Sequence, residues 1–210
     1  MFKRMGQHWV DLWKRIGAQG DGQKVYSELT TRYSEKHRAY HTLAHIDACL
    51  NELEQVRHLA KDPDAIEMAL WYHDAVYETQ STINEEKSAA LFREMARGAS
   101  LTEAFISQVV NLILVTKHVQ APNNPDAQLL VDIDLSILGQ TADRFDEYEQ
   151  QVRKEYEWVP TKDFIIGRSK ILKSFLERPT IYSTNFFRNK YEISARINID
   201  RSLTKLSQHS

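Results

Sequence analysis

Apolar residues recur along nearly the whole chain at steps of three and four, the repeat of helices with one buried face. Phe2, Met5, Trp9, Trp13 and Ile16 keep this register and predict an amphipathic first helix over residues 1–17 that packs on the body. A second helix is predicted over 25–34. A third starts near His41 and runs to about 59, with Leu43, Ile46, Leu50 and Leu53 as one stripe. Asp62-Pro63 reads as a cap followed by proline at the first helical position. The helix it opens extends to about residue 77, with Ile66, Ala69, Leu70, His73, Val76 and Tyr77 on one side. Position 73 thus puts an ionisable group on a buried face. Further helices are predicted over 84–97, with Gly98 ending it, and over 100–118, where Ser100-Leu101-Thr102-Glu103 has the form of a capping box. Residues 121–125, with two prolines, read as a loop. A short helix over 132–138 closes at Gly139, and longer ones follow over 142–158, 162–177 and 185–206.

Composition sharpens this into an all-α expectation. With 7 Gly and 5 Pro in 210 residues there is little material for the many tight turns of a β-sandwich. The length suits one domain over 1–210 with a sizeable core, and no repeat, low-complexity linker, G-x-G-x-x-G or Walker loop divides it. A formal net charge of −2, from 27 basic and 29 acidic residues, argues against a nucleic-acid polymer or an anionic membrane as partner. There is no run of 18 apolar residues, so no membrane span is expected, and the start lacks the continuous apolar run of a signal peptide. Asp11 interrupts the polar face of the first helix, against a membrane-surface role. The single cysteine, Cys49, excludes an internal disulfide framework and suits a reducing, cytoplasmic setting, where it reads as a small buried hydrophobe.

Chemistry concentrates in three segments: Tyr40-His41-Thr42-Leu43-Ala44-His45, Trp71-Tyr72-His73-Asp74 and Val131-Asp132-Ile133-Asp134-Leu135. His41 and His45, at i and i+4 in a predicted helix, share a face. His73 and Asp74 are adjacent, about 100° apart on theirs, and both can reach an ion over the groove between two helices. Imidazole plus carboxylate suits one divalent ion among Mn, Mg, Co, Ni, Zn and Fe. A short ligand set leaves positions for water and a substrate oxygen, which points to metal-assisted hydrolysis. Each piece alone is weak, because core histidines and His-Asp dipeptides are common; their order and shared helical setting carry the reading.

These segments resemble the HD-domain superfamily of metal-dependent phosphohydrolases, named for its His-Asp pair. Tyr40-His41-Thr42-Leu43-Ala44-His45 is similar to the Tyr-His-Asn-x-x-His signature of cyclic-nucleotide phosphodiesterases, with Thr42 in place of Asn. Asp134-Leu135-Ser136 is similar to the Asp-Leu-Ser at their last metal-binding acid. The strongest resemblance is to a bacterial group of HD-superfamily phosphohydrolases without assigned substrate. It covers nearly the whole chain and includes Asn84-Glu85-Glu86-Lys87-Ser88-Ala89 and Arg178-Pro179-Thr180-Ile181-Tyr182. It implies a compact all-α HD bundle, with His45, His73 and Asp74 as metal ligands and Asp134 or Asp132 as the last. These two lie about 200° apart on an unbroken helix, so only one of them ligates unless the helix breaks there; the Asp-Leu-Ser match favours Asp134.

The resemblance makes His41 the proton donor to the leaving oxygen; the alternative is a histidine bonded to backbone at the helix start. Glu85 is either a group bridged to the metal through water or a proton donor, or a helix N-terminal carboxylate favoured by the macrodipole. Lys117 and His118 are either a phosphate contact or cations suited to a helix C-terminus. Arg168, Arg178, Arg188 and Arg196 either hold phosphate oxygens or pair with Glu177, Glu192 and Asp200. Trp71, Tyr72 and Tyr77 suit a core better than a base-stacking platform. Dinuclear members of the superfamily add histidines between the His-Asp pair and the last Asp. Only His118 lies in that interval, so one metal is expected. The expected function is hydrolysis of a phosphomonoester or phosphoanhydride, with a nucleotide as leading substrate. The rivals are a nucleotide-sensing HD module without turnover and an HD-type iron oxygenase. The first and last helices are candidate faces for a homo-oligomer.

Overall fold

The 3.6-residue repeat becomes helix along most of its length. A computed structural model describes residues 2–118 and 122–208. Met1 and Ala121, placed by sequence in the first helix and the proline-rich loop, lie outside the described residues. All regular structure among those residues is helical. The α-helices are α1 (Phe2–Arg15), α2 (Gly22–Arg32), α3 (Leu43–Val56), α4 (Pro63–Tyr72), α5 (Asn84–Gly98), α6 (Glu103–Val115), α7 (Pro125–Asp134), α8 (Ala142–Glu155), α9 (Thr161–Leu176) and α10 (Asn185–Ser207). Short 3-10 turns follow α3 at Arg57–Leu59 and α7 at Leu135–Gly139. No helix among the described residues is long and apolar enough to cross a membrane.

The chain divides into two compact units, Met1–Val131 and Asp132–Ser210. In the first, α4 is the central element: every residue from Ala65 to Tyr72 is buried, Glu67 included. The sequence predicts one buried side, but α1, α3, α5 and α6 all pack on α4 and cover it all round. Of the predicted stripe of α1, Met5, Trp9 and Trp13 are buried and Ile16 is half-buried, while the side chain of Phe2 lies outside the described residues. Trp9 meets Trp71 edge to face at 5.4 Å, and its indole N–H donates to the Gly22 carbonyl at 2.7 Å. Gly22 itself lets α2 start against the Trp13 ring, where a Cβ would fall 2.8 Å away.

In the second unit the 3-10 turn Leu135–Gly139 packs on α8 and α10, and α9 on α10. Asn198 donates to the carbonyls of Leu138 (3.0 Å) and Gln140 (2.8 Å). The Tyr182 hydroxyl donates to Leu135 O (3.0 Å), and Glu192 accepts from the amides of Ile181 and Tyr182. The Arg178–Tyr182 segment is therefore stitched to α10 and the 3-10 turn.

Of the boundaries that differ from expectation, four have a clear reason in neighbouring contacts, while α2 starts three residues early, α8 ends three early, and α7 already begins at Pro125 in the expected loop. α3 starts at Leu43, after His41, because Thr42 is extended and caps it, its hydroxyl accepting from Ala44 N. α4 ends at Tyr72 rather than 77, because partners outside the helix take the backbone groups beyond it. Ser100 does not open α6. It sits at φ 59° in the turn that ends α5, with its N–H bonded to Arg97 O and that of Leu101 to Ala96 O. Thr102 is the true cap of α6, accepting from Phe105 N. The helix predicted over 132–138 is instead the end of α7 followed by a 3-10 turn, so the winding changes right after Asp134.

Candidate metal centre

Two helix ends in the first unit create the centre. Thr42, a favoured N-cap, sets the backbone that launches His45 in the first turn of α3. At the other side, α4 delivers His73 as its C-terminal cap residue, and Asp74 begins the irregular segment after it.

His45 Nε2 lies 3.1 Å from His73 Nε2, and Asp74 Oδ2 lies 3.0 Å from His73 Nε2 and 3.7 Å from His45 Nε2. Ligand atoms about 2.1 Å from one ion sit about 3.0 Å apart when cis in an octahedron and about 3.4 Å apart in a tetrahedron. The three donors thus fit the spacing of a single divalent ion, and among the described residues they form a cluster able to hold one. The other nitrogen of His73, Nδ1, is 2.9 Å from Leu70 O. Only an N–H can satisfy that carbonyl, so the tautomer leaves the Nε2 lone pair facing the cluster. Both rings are buried, whereas the Asp74 side chain is 18% exposed, so the cluster opens to solvent on the carboxylate side.

Burial pushes the Asp74 carboxyl up, but where His73 and His41 are protonated, their charge and the hydrogen bond that His73 Nε2 then donates outweigh it and hold Asp74 well below the ordinary carboxylate range. The pocket thus favours a carboxylate facing positive charge. Cys49, one turn past His45, is buried as expected, with its sulfur 3.7 Å from both His45 ring nitrogens.

His41 lies before the cap and so does not share a helical face with His45. Its ring stacks on Tyr77 (centroids 4.0 Å, 26°), meets Tyr40 edge-on at 5.0 Å and lies 6.1 Å from the His45 ring. Loop geometry brings it to the cluster instead. Glu85 stands in the first turn of α5, consistent with the macrodipole role. That end of α5 is anchored near Asp74, since the Ser88 hydroxyl accepts from Val76 N (3.0 Å) and donates to Val76 O (3.3 Å). Lys117 is turned onto Glu86 across the α5–α6 pair, and His118 follows at φ 56°.

Asp134 ends α7 in the second unit and is partly exposed. Asp132 is fully buried, and both its oxygens are engaged at the start of α10: by Ser183 N (2.8 Å), Thr184 N (2.7 Å) and the Thr184 hydroxyl (2.7 Å). Of the four arginines, Arg196 pairs with Glu192 as anticipated, while Arg168 pairs with Glu149. Arg188 donates to Ser183 O and Asn185, and Arg178 lies over the Phe175 ring. Trp71 and Tyr72 are core.

Sequence reasoning missed Arg38, a buried cation that bonds the backbone of His41 and Asp74. No local pattern marks it, because a bond to a backbone carbonyl leaves no residue signature and two of its carbonyls, those of Asp74 and Ala75, are distant in sequence. Compared with family models, curated proteins and solved structures, the chain finds no match.

Proposed function

We propose that this chain is a metal-dependent hydrolase of the HD type, acting on a phosphomonoester or phosphoanhydride, with nucleotides as the leading substrate class. What carries the reading is the trio His45, His73 and Asp74, at spacings that suit one ion and open to solvent beside the carboxylate. A divalent ion held there would supply Lewis acidity toward water and a phosphoryl oxygen. The protein supplies the rest. Leu70 O fixes the face of His73 that turns inward. Asp74 stays ionised and accepts a proton bond from an attacking water, which orients it. His41, half-buried against Tyr77, is one candidate to protonate the leaving oxygen. Glu85, in the first turn of α5, is the other.

The test is phosphate release from a panel of nucleotides and simple phosphoesters. Metal-stripped protein is reloaded separately with Mn, Mg, Co, Ni, Zn and Fe, beside a folded His73→Ala, Asp74→Ala double variant. Metal-dependent release, reduced at least about a hundredfold in the variant, is the expected result. Metal uptake without release from any substrate sinks the hydrolase reading. Nucleotide binding would then favour the sensing module, and dioxygen consumption with Fe but not Mn the oxygenase.

A further inference from the structure

We infer that Arg38 is a positioning residue that sets the geometry of this centre by bracing the two backbone segments on either side of it; this rests on the metal-centre reading above. The Arg38 side chain has no exposed surface. Its Nη1 donates to Asp74 O at 2.7 Å and to His41 O at 3.1 Å, its Nη2 to Ala75 O at 3.2 Å, and its Nε to Glu35 at 3.0 Å. The rings of Tyr33 and Tyr77 flank the guanidinium at 5.2 and 5.6 Å, and Tyr33 in turn bonds Trp71 O at the end of α4.

Neither braced segment has a helical ladder of its own at these positions. His41 precedes the cap of α3, and Asp74 and Ala75 follow the last turn of α4. The Ala75 carbonyl is buried and those of Asp74 and His41 part-buried, so losing the bonds from Arg38 is costly. One planar fork closes three of them at once and fixes the separation of the segments. An ammonium group cannot do this, because it lacks the rigid, widely spaced donors. An apolar side chain would fill the space without desolvating a cation, but would leave the carbonyls open. His45 and His73 sit on helix ends and keep their places without Arg38. The groups that depend on the brace are the Asp74 carboxylate and the His41 ring. Its loss therefore leaves a centre with two histidines in place and a badly aimed carboxylate.

The test is Co2+ titration followed by visible absorption, on wild type, Arg38→Lys and Arg38→Met, with urea unfolding to correct for the folded fraction. Loss of partners that orient ligands typically weakens metal binding about 10- to 100-fold, and that rise in dissociation constant is expected for both variants. A change in the Co2+ band, resembling that of Asp74→Asn, is expected with it. In metal-free protein the ring 1H–15N signals of His41 should shift in Arg38→Lys. A folded Arg38→Lys that binds Co2+ within about twofold of wild type, with an unchanged band, overturns the brace and leaves the metal centre standing. Wild type that takes up no Co2+ removes the metal-centre reading and this inference together. If the Met variant does not fold, the Lys variant decides. If neither folds, Arg38 is a structural residue and the inference fails.

Discussion

Glu67 lies on the central helix of the first unit, with Arg15 of α1 and Arg57 of the 3-10 turn both bonded to Oε2. Those arginines also hold Asp64, and Arg57 holds Glu54. The other Glu67 oxygen, Oε1, is buried without a hydrogen-bond partner among the described residues. Burial outweighs the pull of Arg57 and Arg15 and pushes the Glu67 carboxyl up from 4.5 to about 7. Between these values the folded protein holds a proton that the unfolded chain has released. The contribution of Glu67 to stability is therefore greatest below pH 4.5 and falls as pH rises towards 7. At about 1.4 kcal/mol per pH unit, the gap is worth about 3 kcal/mol. Glu67→Gln keeps the shape and cannot titrate. Urea unfolding of both proteins at pH 5 and pH 7.5 isolates the effect, because other groups titrate in both and cancel in the difference. Wild type should lose about 2–3 kcal/mol more than the variant across that interval. Equal losses, within about 0.5 kcal/mol, would refute the account and mean that the two guanidinium groups keep Glu67 ionised throughout.

Asp132→Ala removes the acceptor for three donors at the start of α10, offset in part by no longer burying a charge. A net loss of about 2–4 kcal/mol is expected. Hydrogen exchange should show faster opening of the Ser183 and Thr184 amides; unchanged rates would count against the capping role. Gly139→Ala would put a Cβ 2.4 Å from Tyr191 Cβ, and because backbone must move to admit it, the melting temperature should fall by about 5 °C. A fall of under a degree would mean that the 3-10 turn moves away from α10 at little cost.

The all-helical class was legible because periodicity is a local property, and most helix ends were legible from their caps. The mistakes came where a competing partner, near or far in sequence, took the backbone groups. Ser100-Leu101-Thr102-Glu103 has a capping-box pattern, yet the Ser100 backbone closes the preceding helix and Thr102 opens the next. The stripe through Val76 and Tyr77 continues the period of α4, yet Arg38 and Ser88 take the carbonyls and amide that the helix would have used.

The candidate site divides in the same way. The residue types and their order, His45 then His73-Asp74, are carried by the sequence, since ligand chemistry belongs to the side chains. Their convergence to 3.0–3.7 Å comes from packing α3 against the end of α4. Which nitrogen of His73 faces inward depends on Leu70 O. That Asp132 caps α10 depends on a segment some fifty residues later. Sequence determined the helices and the inventory of ligands, because both depend on near neighbours. Tertiary structure decided the aim of the ligands and the brace from Arg38 to Asp74 and Ala75, because each depends on residues that only folding brings together.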